Sequence, residues 1–252
     1  MKQILNHKNL PWLTLIVGGI GLLLRTWQMN TITDKGFIVR GHISGITLYV
    51  FSVLVIAALI YATRPLLQAS KYTFNFPASV AGGIGALVAA FAFGLTAVIE
   101  FSLATDILST LSAVFGILAA VALVFVSHCR WKGLHPSTLF HVAICGYLML
   151  RLICMYRLWS SDPQLEDYCF QLLAIVCMML SAYHRATFDA NFGRRHSYVF
   201  FNLAGVYFCC LSLAGPDSLL FFLGGGSWLV TDLCDLTPMP REFQGIKEND
   251  PS

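Results

Sequence analysis

Long stretches without a charged side chain constrain this chain more than any other feature. Residues 41–63 contain no Asp, Glu, Lys or Arg, and similar stretches recur along the chain. About 20 apolar residues at 1.5 Å each cross the hydrocarbon core of a bilayer, and a helix satisfies its own backbone polar groups there. Because only 12% of the 252 residues are charged and 57% are apolar, we predict an all-α, polytopic transmembrane helical bundle.

The same length criterion predicts eight spans joined by short polar segments. They cover residues 11–29, 41–63, 76–99, 107–127, 136–156, 168–184, 198–214 and 218–236. Residues 1–236 would then form a single integral membrane domain, followed by a short cytoplasmic tail at 237–252. The uncharged part of the eighth span ends at Thr231, so the sequence leaves open whether that helix crosses fully.

Basic residues near the span ends predict the orientation, because Lys and Arg are retained on the cytoplasmic side. If the N-terminus is inside, the cytoplasmic segments carry eleven basic residues: Lys2, Lys8, Arg64, Lys71, Arg130, Lys132, Arg185, Arg194, Arg195, Arg241 and Lys247. The opposite side carries Lys35, Arg40 and Arg157. We therefore expect an integral protein of the plasma membrane with both termini in the cytoplasm.

Matching landmarks in the two halves raise the hypothesis of a 4+4 parallel internal repeat. Pro11 precedes Arg25 by fourteen residues, and Pro136 precedes Arg151 by fifteen. Four spans per half would give both halves the same orientation, related by an axis along the membrane normal. The alternative is that a proline start and an arginine near one leaflet are common features of membrane helices.

Small residues indicate where helices pack closely. They recur every four residues in the third and fourth spans: Ala78, Gly82, Ala86, Ala90 and Gly94, then Ser112, Gly116 and Ala120. Such stripes let helix backbones approach, so we predict a tight hairpin between these two spans. The glycine clusters at 18–21 and 224–226 can mark either close packing, which we favour, or broken helices that line a cavity.

Arg25 and Arg151, together with Glu100, are the candidate substrate-binding residues. A basic side chain inside a span is costly unless it meets an acid, water or the interface. Both arginines lie about 21 Å along their helices at 1.5 Å per residue, in the outer leaflet. They could be structural arginines paired with Glu100, Asp106 or Asp217. The functional hypothesis is that both converge on an anionic group, a solute carboxylate or a lipid phosphate, in a vestibule open to the outside.

Asp232 and Asp235 are the candidate ion-coupling residues. They lie three positions apart, on one side of the predicted eighth helix. Such a carboxylate pair inside a membrane can bind a cation or relay protons. The alternative is that both carboxylates face water at the helix end.

Several other sites and partners are excluded or weakly indicated. A zinc site could draw on five side chains of the polar segments, but none has a recognised ligand spacing: His128, Cys129, His135, His184 and His196. We therefore predict no metal and no cofactor. The basic residues are too scattered for a nucleic-acid footprint. There is no GxxxxGK[ST] loop, no GxSxG elbow and no CxxC pair among the eight cysteines. The chain reproduces no family motif that we recognise.

Three functions are compatible with these observations. The buried arginines favour a membrane protein that handles a small solute, with an anionic one favoured, as a transporter or as a substrate-binding membrane subunit. The alternative is a non-catalytic sensor or assembly subunit that binds a membrane partner protein. The third is an intramembrane lipid-modifying enzyme that uses the histidines or the Asp232 and Asp235 pair. An enzyme should gather titratable groups in one pocket, and these are predicted at opposite membrane faces, so we favour a non-enzyme.

Overall fold

The computed structural model describes residues 9–30, 42–64, 66, 70–160, 168–215 and 218–236. These residues form helices and connecting turns, with no β-strand among them. The helices in chain order are α1 (Leu10–Met29), α2 (Ile43–Thr63), α3 (Tyr72–Asn75), α4 (Val80–Leu103), α5 (Ile107–Lys132), α6 (Thr138–Trp159), α7 (Cys169–Asp189), α8 (Arg195–Ser212) and α9 (Leu219–Cys234). The all-α prediction is confirmed for this part of the chain. The predicted tail at 237–252 lies outside it.

Six of these helices are long and apolar enough to cross a membrane, namely α1, α2, α4, α5, α6 and α7. The structure therefore supports a multi-pass membrane protein. Helix α8 has 18 residues but is not among the six, and α9 has only 16. At 1.5 Å per residue, α9 is roughly 24 Å long, less than the hydrocarbon core. Helices thus lie at all eight predicted places, but the prediction of eight spans is not confirmed.

The limited apolarity of α8 follows from its position inside the bundle. It packs against α1, α2, α7 and α9, so its polar side chains meet other helices instead of lipid. The Tyr207 hydroxyl of α8, for example, lies 2.8 Å from the Ser52 hydroxyl of α2. Hydrogen bonds between helices of this kind are typical of membrane bundles.

Four helices extend past the predicted ends of their spans, α5 and α7 the furthest. The prediction ends span four at residue 127 and span six at residue 184, whereas α5 continues to Lys132 and α7 to Asp189. An apolarity criterion ends at the first polar residues, but a helix continues until a residue caps it. In α5 this residue is Gly133, at φ +65°, a left-handed backbone that glycine adopts readily. Arg130, Arg185 and Asp189 consequently lie on helices.

Contacts between helix ends show that α4, α5 and α6 alternate in direction, and that α8 and α9 are antiparallel. The C-terminal ends of α4 and α6 meet the N-terminal ends of α5 and α9 around Arg151. The C-terminal ends of α5 and α9 meet the N-terminal ends of α4 and α8 around Arg130. We call these the Arg151 end and the Arg130 end of the bundle. The side of the membrane that each end faces stays a prediction from the basic residues.

The predicted hairpin of small residues is present between α4 and α5. A Cβ built on Gly94 would lie 3.3 Å from the Cβ of Ala120, and one built on Gly116 would lie 2.7 Å from the Cβ of Ala97. The α4–α5 pair has the most extensive contact in the bundle. Small side chains therefore set the distance between these two backbones, as the spacing indicates.

The glycine clusters likewise lie in unbroken helices at close contacts. Helix α9 continues through residues 224–226, and Gly224 faces Ala92 and the Cα of Ala89 on α4. In α1, Gly18 faces Cys210 and Gly21 faces Leu211, both on α8. Close packing, rather than a broken helix, is what these glycines provide.

The contact pattern does not confirm the 4+4 repeat. In a repeat, α1, α2, α4 and α5 would correspond to α6, α7, α8 and α9. Helix α7 packs along α8 and α4 packs along α9. The corresponding pairs, α2 with α4 and α5 with α8, have no comparable contact among the described residues.

Gly224→Ala tests the close approach of α4 and α9. The new methyl group would overlap the Cβ of Ala92, and overpacking of a close contact destabilises by about 1–3 kcal/mol. We expect a lower midpoint of thermal unfolding in detergent. Gly19→Ala is the matched control, because no atom lies within 4 Å of a Cβ built there; its midpoint should stay equal or rise slightly. Equal losses in the two variants would contradict the packing argument.

Candidate functional site

A partly buried ion pair lies at the Arg151 end. Arg151 on α6 donates to the Glu100 carboxylate on α4. Its Nη1 also donates to the Tyr147 hydroxyl at 3.2 Å, and its Nη2 donates to the Ser218 hydroxyl at 3.0 Å. The guanidinium carbon lies 4.0 Å from the centroid of the Phe221 ring. The Arg151 side chain is 1% exposed and that of Glu100 is 29% exposed, so the acid is the partner that faces open space.

This ion pair forms part of the wall of a cavity. The cavity has a volume of about 440 Å³ and lies between the ends of α4, α5 and α6. Four charged side chains line it: Glu100, Asp106, Arg151 and Arg157. Apolar side chains complete the wall, including Leu103, Leu108, Met155 and Leu158. A concave, partly apolar space of this size with a few convergent polar groups is typical of small-molecule sites.

Arg25 occupies a different place from Arg151. Its Nη1 donates to the Gln28 side-chain oxygen at 2.6 Å, and its guanidinium carbon lies 5.3 Å from the ring centroid of Phe170 on α7. The cavity wall includes Arg151 and Glu100 but not Arg25. The structure therefore brings two of the three candidate substrate-binding residues together and places the third against α7.

At the Arg130 end, Asp232 and Asp235 lie together and are paired with Arg130. Its Nη2 lies 2.7 Å from the Asp235 Oδ2 and 3.5 Å from the Asp232 Oδ1. The Tyr198 hydroxyl donates to Asp232 at 2.8 Å, and the Ser79 hydroxyl donates to Asp235 at 2.6 Å. Each aspartate side chain is only 7% exposed. Neither carboxylate faces water freely.

The first turn of α4 is shaped to accept this ion pair. Ser79 caps α4 by accepting from the Gly82 amide at 3.2 Å while its hydroxyl donates to Asp235. A Cβ on Gly82 would overlap the Asp235 carboxylate and lie 2.7 Å from the Arg130 Nη2. The positive end of the α4 dipole also lies beside this carboxylate, which favours its charged form. Gly82 of the small-residue stripe thus makes room for charge as well as for a helix.

The pKa of Asp235, just beyond α9, reflects opposing influences. Burial raises the pKa of this carboxyl above its usual value. The Ser79 hydroxyl and Arg130 act in the opposite direction and lower the pKa, whereas the neighbouring Asp232 raises it. The net shift is upward, so the folded protein binds a proton here more readily than the unfolded chain does.

A second layer of buried charge adjoins this cluster. The Arg185 guanidinium carbon on α7 lies 3.3 Å from the ring centroid of Phe76 and 5.2 Å from that of Tyr72. One turn further along α7, Asp189 lies 2.5 Å from the His141 Nδ1, and both of those side chains are fully buried. The Arg130 end therefore holds buried charged residues from α5, α7 and α9, with His141 of α6 beside them.

Most of these residues escape sequence reasoning. In the sequence, Arg130 and Arg185 serve only to predict the membrane orientation, and Tyr198 has no predicted role. One usable signal exists: Arg185 and Asp189 are four residues apart, on one face of a helix if span six continues past residue 184. The sequence cannot show that Ser79, Arg130 and Asp232, on different segments, converge.

No metal centre accompanies these residues. Within the described ranges, no group of three or more His, Cys, Asp or Glu side chains is arranged to hold a metal ion. Comparison with protein-family models, curated proteins and solved structures found no match to this chain.

Arg130→Gln tests the ion pair at this end. Removing one partner of a buried pair costs about 3 kcal/mol or more, and it leaves Asp232 and Asp235 close together without their cation. Because the Asp235 pKa is already raised by burial, losing Arg130 raises it further. A carboxyl with a raised folded pKa adds stability at low pH and loses it as the pH rises through that pKa. We expect a large loss of thermal stability at neutral pH and a smaller loss at mildly acidic pH.

Arg157→Gln is the matched control for this measurement. Arg157 lies 3.6 Å from Asp106 in a pair whose side chains are 65% and 60% exposed. Such a pair contributes at most about 1 kcal/mol, so the control should lose little at either pH. A pH-independent loss in Arg130→Gln would contradict the account of Asp235.

Proposed function

We propose that this multi-pass membrane protein handles a small solute with an anionic group, as a transporter or as a substrate-binding membrane subunit. The observation that carries this proposal is the pair of buried Arg151 and half-buried Glu100 in the wall of the cavity at the Arg151 end. A fixed guanidinium beside an accessible space is suited to bind a carboxylate or a phosphate, because its planar fork matches both.

Arg151 is held in place by contacts other than Glu100. Tyr147 and Ser218 accept hydrogen bonds from it, and the Phe221 ring covers one face of the guanidinium. Glu100 is the more exposed partner. The anionic group of the solute takes the place of the Glu100 carboxylate on Arg151, so one buried charge pair replaces another and no guanidinium is left bare.

The remaining cavity wall suits the rest of such a solute. Leu103, Leu108 and Leu158 offer apolar contacts, and Asp106 and Arg157 add exposed charges of both signs. This mixture favours a small amphiphilic molecule over an inorganic ion, since the apolar surface contributes to binding only if the ligand covers it.

The packing of α4 against α9 supports transport over passive binding. Helix α4 supplies Glu100 at the Arg151 end, and Ser79 caps α4 at the Arg130 end. At the two ends of α9, Ser218 contacts Arg151 and Asp235 contacts Ser79. The two helices are in close contact at Gly224. A change in the cavity is thereby linked to the Arg130 end, where Asp232 and Asp235 are the proposed ion-coupling residues.

The test is an anion-binding measurement on Arg151→Gln and Glu100→Gln. Small carboxylates and organic phosphates are screened by thermal shift on the purified protein, and those that stabilise it are tested for uptake into proteoliposomes. Loss of a charged hydrogen bond should weaken binding to Arg151→Gln by about tenfold or more. Glu100→Gln removes the competing carboxylate, so it should bind the same anion as tightly as the native protein or more tightly.

Two further variants separate the possible outcomes. Arg25→Gln should bind the anion like the native protein, since Arg25 is outside the cavity wall. Weaker binding to Arg25→Gln would support the hypothesis that Arg25 and Arg151 bind the same anionic group. Lys132→Gln, at the Arg130 end, controls for net charge. The proposal is rejected if no anion stabilises the native protein, or if Arg151→Gln binds the anion unchanged.

A further inference from the structure

Bare guanidinium nitrogens are concentrated at the Arg130 end. Two nitrogens of Arg130 (Nε and Nη1) and all three of Arg185 are buried without a hydrogen-bond partner in the described part of the chain. Both side chains are about 1% exposed. Buried donors are nearly always satisfied in folded proteins, so each exception requires a physical reason.

The nearby acids do not satisfy these donors. Asp189 lies close enough to influence Arg185 but contacts His141, and Asp232 accepts from Tyr198 and Arg130. Neither acid forms an ion pair with Arg185 within 4.0 Å, by the contacts found among the described residues. The acids neutralise the charge of Arg185 at a distance and leave its hydrogen-bonding capacity unused.

Both arginines face the same aromatic ring. The guanidinium carbons of Arg185 and Arg130 lie 3.3 Å and 5.3 Å from the centroid of Phe76. Phe76 follows α3 in the segment 70–79, which precedes α4 in the chain and lies at the Arg130 end of the bundle. A ring face attracts a cation but accepts no strong hydrogen bond from the nitrogens at its edge. Phe76 therefore occupies the place where a polar acceptor would fit.

We propose that Arg130 and Arg185 form a binding site for a phosphate-type oxyanion, either free phosphate or a phospholipid headgroup, which Phe76 covers in the conformation described. The five nitrogens without a partner outnumber the roughly four acceptor positions of a carboxylate, whereas free phosphate or a phosphomonoester headgroup offers three or more acceptor oxygens. Two guanidinium forks from different helices suit that geometry. The site lies at the ends of α5 and α7, at headgroup depth if these helices span the membrane.

The cover over the site is held by a few local contacts. Phe76 meets the rings of Phe188 and Tyr198 edge-on at centroid distances of 5.4 and 5.6 Å. The Asn75 side chain accepts from Arg195 at 3.2 Å, and the Tyr72 ring lies 4.4 Å from that of His135. Helix α3 has four residues, so displacing Phe76 breaks these contacts and not a long helix. The oxyanion and the ring compete for the same guanidinium groups.

This site is distinct from the solute cavity at the Arg151 end, although Arg130 is also the partner of the proposed ion-coupling residues Asp232 and Asp235. No residue of the cavity wall belongs to it. A solute could bind at Arg151 whether or not a phosphate group binds at Arg185, and each measurement uses its own variants.

The test titrates the purified full-length protein with inorganic phosphate, against chloride at the same ionic strength. Binding is followed by thermal shift and by isothermal titration calorimetry. Phosphate should stabilise the native protein, and Arg185→Gln should bind it about tenfold or more weakly. Arg185→Lys keeps the charge but loses the fork, so it should fall between the two.

Phe76→Leu should change phosphate affinity in the opposite direction from Arg185→Gln. A smaller side chain competes less for the guanidinium groups, so phosphate should bind several-fold more tightly than to the native protein, although the fold itself is less stable. Phe125→Leu, at an exposed ring stacked on Phe140, is the matched control and should leave phosphate affinity unchanged. A purely structural role for Phe76 predicts lower stability without any gain in phosphate affinity.

A lipid measurement distinguishes the two sources of the oxyanion. The protein in detergent is titrated with short-chain phosphatidic acid or with phosphatidylcholine, whose phosphate is masked by choline. Stabilisation by phosphatidic acid but not by phosphate, again lost in Arg185→Gln, assigns the site to a headgroup. If neither phosphate nor phosphatidic acid stabilises the native protein, or if Arg185→Gln and Phe76→Leu leave both affinities unchanged, the proposal is overturned.

Discussion

The burial of guanidinium groups is the constraint on which the rest of this structure depends. A charge removed from water is tolerated only where an opposite charge, hydrogen bonds or an aromatic face replaces hydration. Arg151 receives all three, from Glu100, from Tyr147 and Ser218, and from Phe221. Arg185 receives mainly the aromatic face. The Arg151 guanidinium therefore has its hydrogen-bond acceptors within the fold, whereas that of Arg185 does not.

The helices were more predictable than the relations between them. Apolar stretches located every described helix except α3. The four-residue spacing of small side chains predicted the α4–α5 hairpin, because both patterns depend on local or nearest-neighbour packing. The stretch at 198–214 located α8 but did not show that this helix lies among other helices and tolerates polar residues such as Asn202. The apolar stretches also placed the ends of α5 and α7 too early, because helical hydrogen bonding continues past the last apolar residue.

The candidate site was predictable only in part, for a related reason. A charged residue inside an apolar stretch is visible in the sequence, so Arg151 and its partner Glu100 could be proposed together. Arg25 has the same sequence signature but a different environment, against Phe170. Arg130 and Arg185 lie beyond the predicted spans, where arginine is ordinary. Only the fold shows that they face one ring.

The missing side chains on α4 have a mechanical consequence. Gly82 accommodates the Asp235 carboxylate, and Gly85 accommodates Thr231, whose hydroxyl a Cβ at that position would overlap. These two contacts fit only while α9 keeps its present position along α4. The position of α9 along α4 is therefore fixed by complementary shape. We therefore expect a displacement of α4 at one end of the bundle to carry α9 with it, because the two helices share these close contacts.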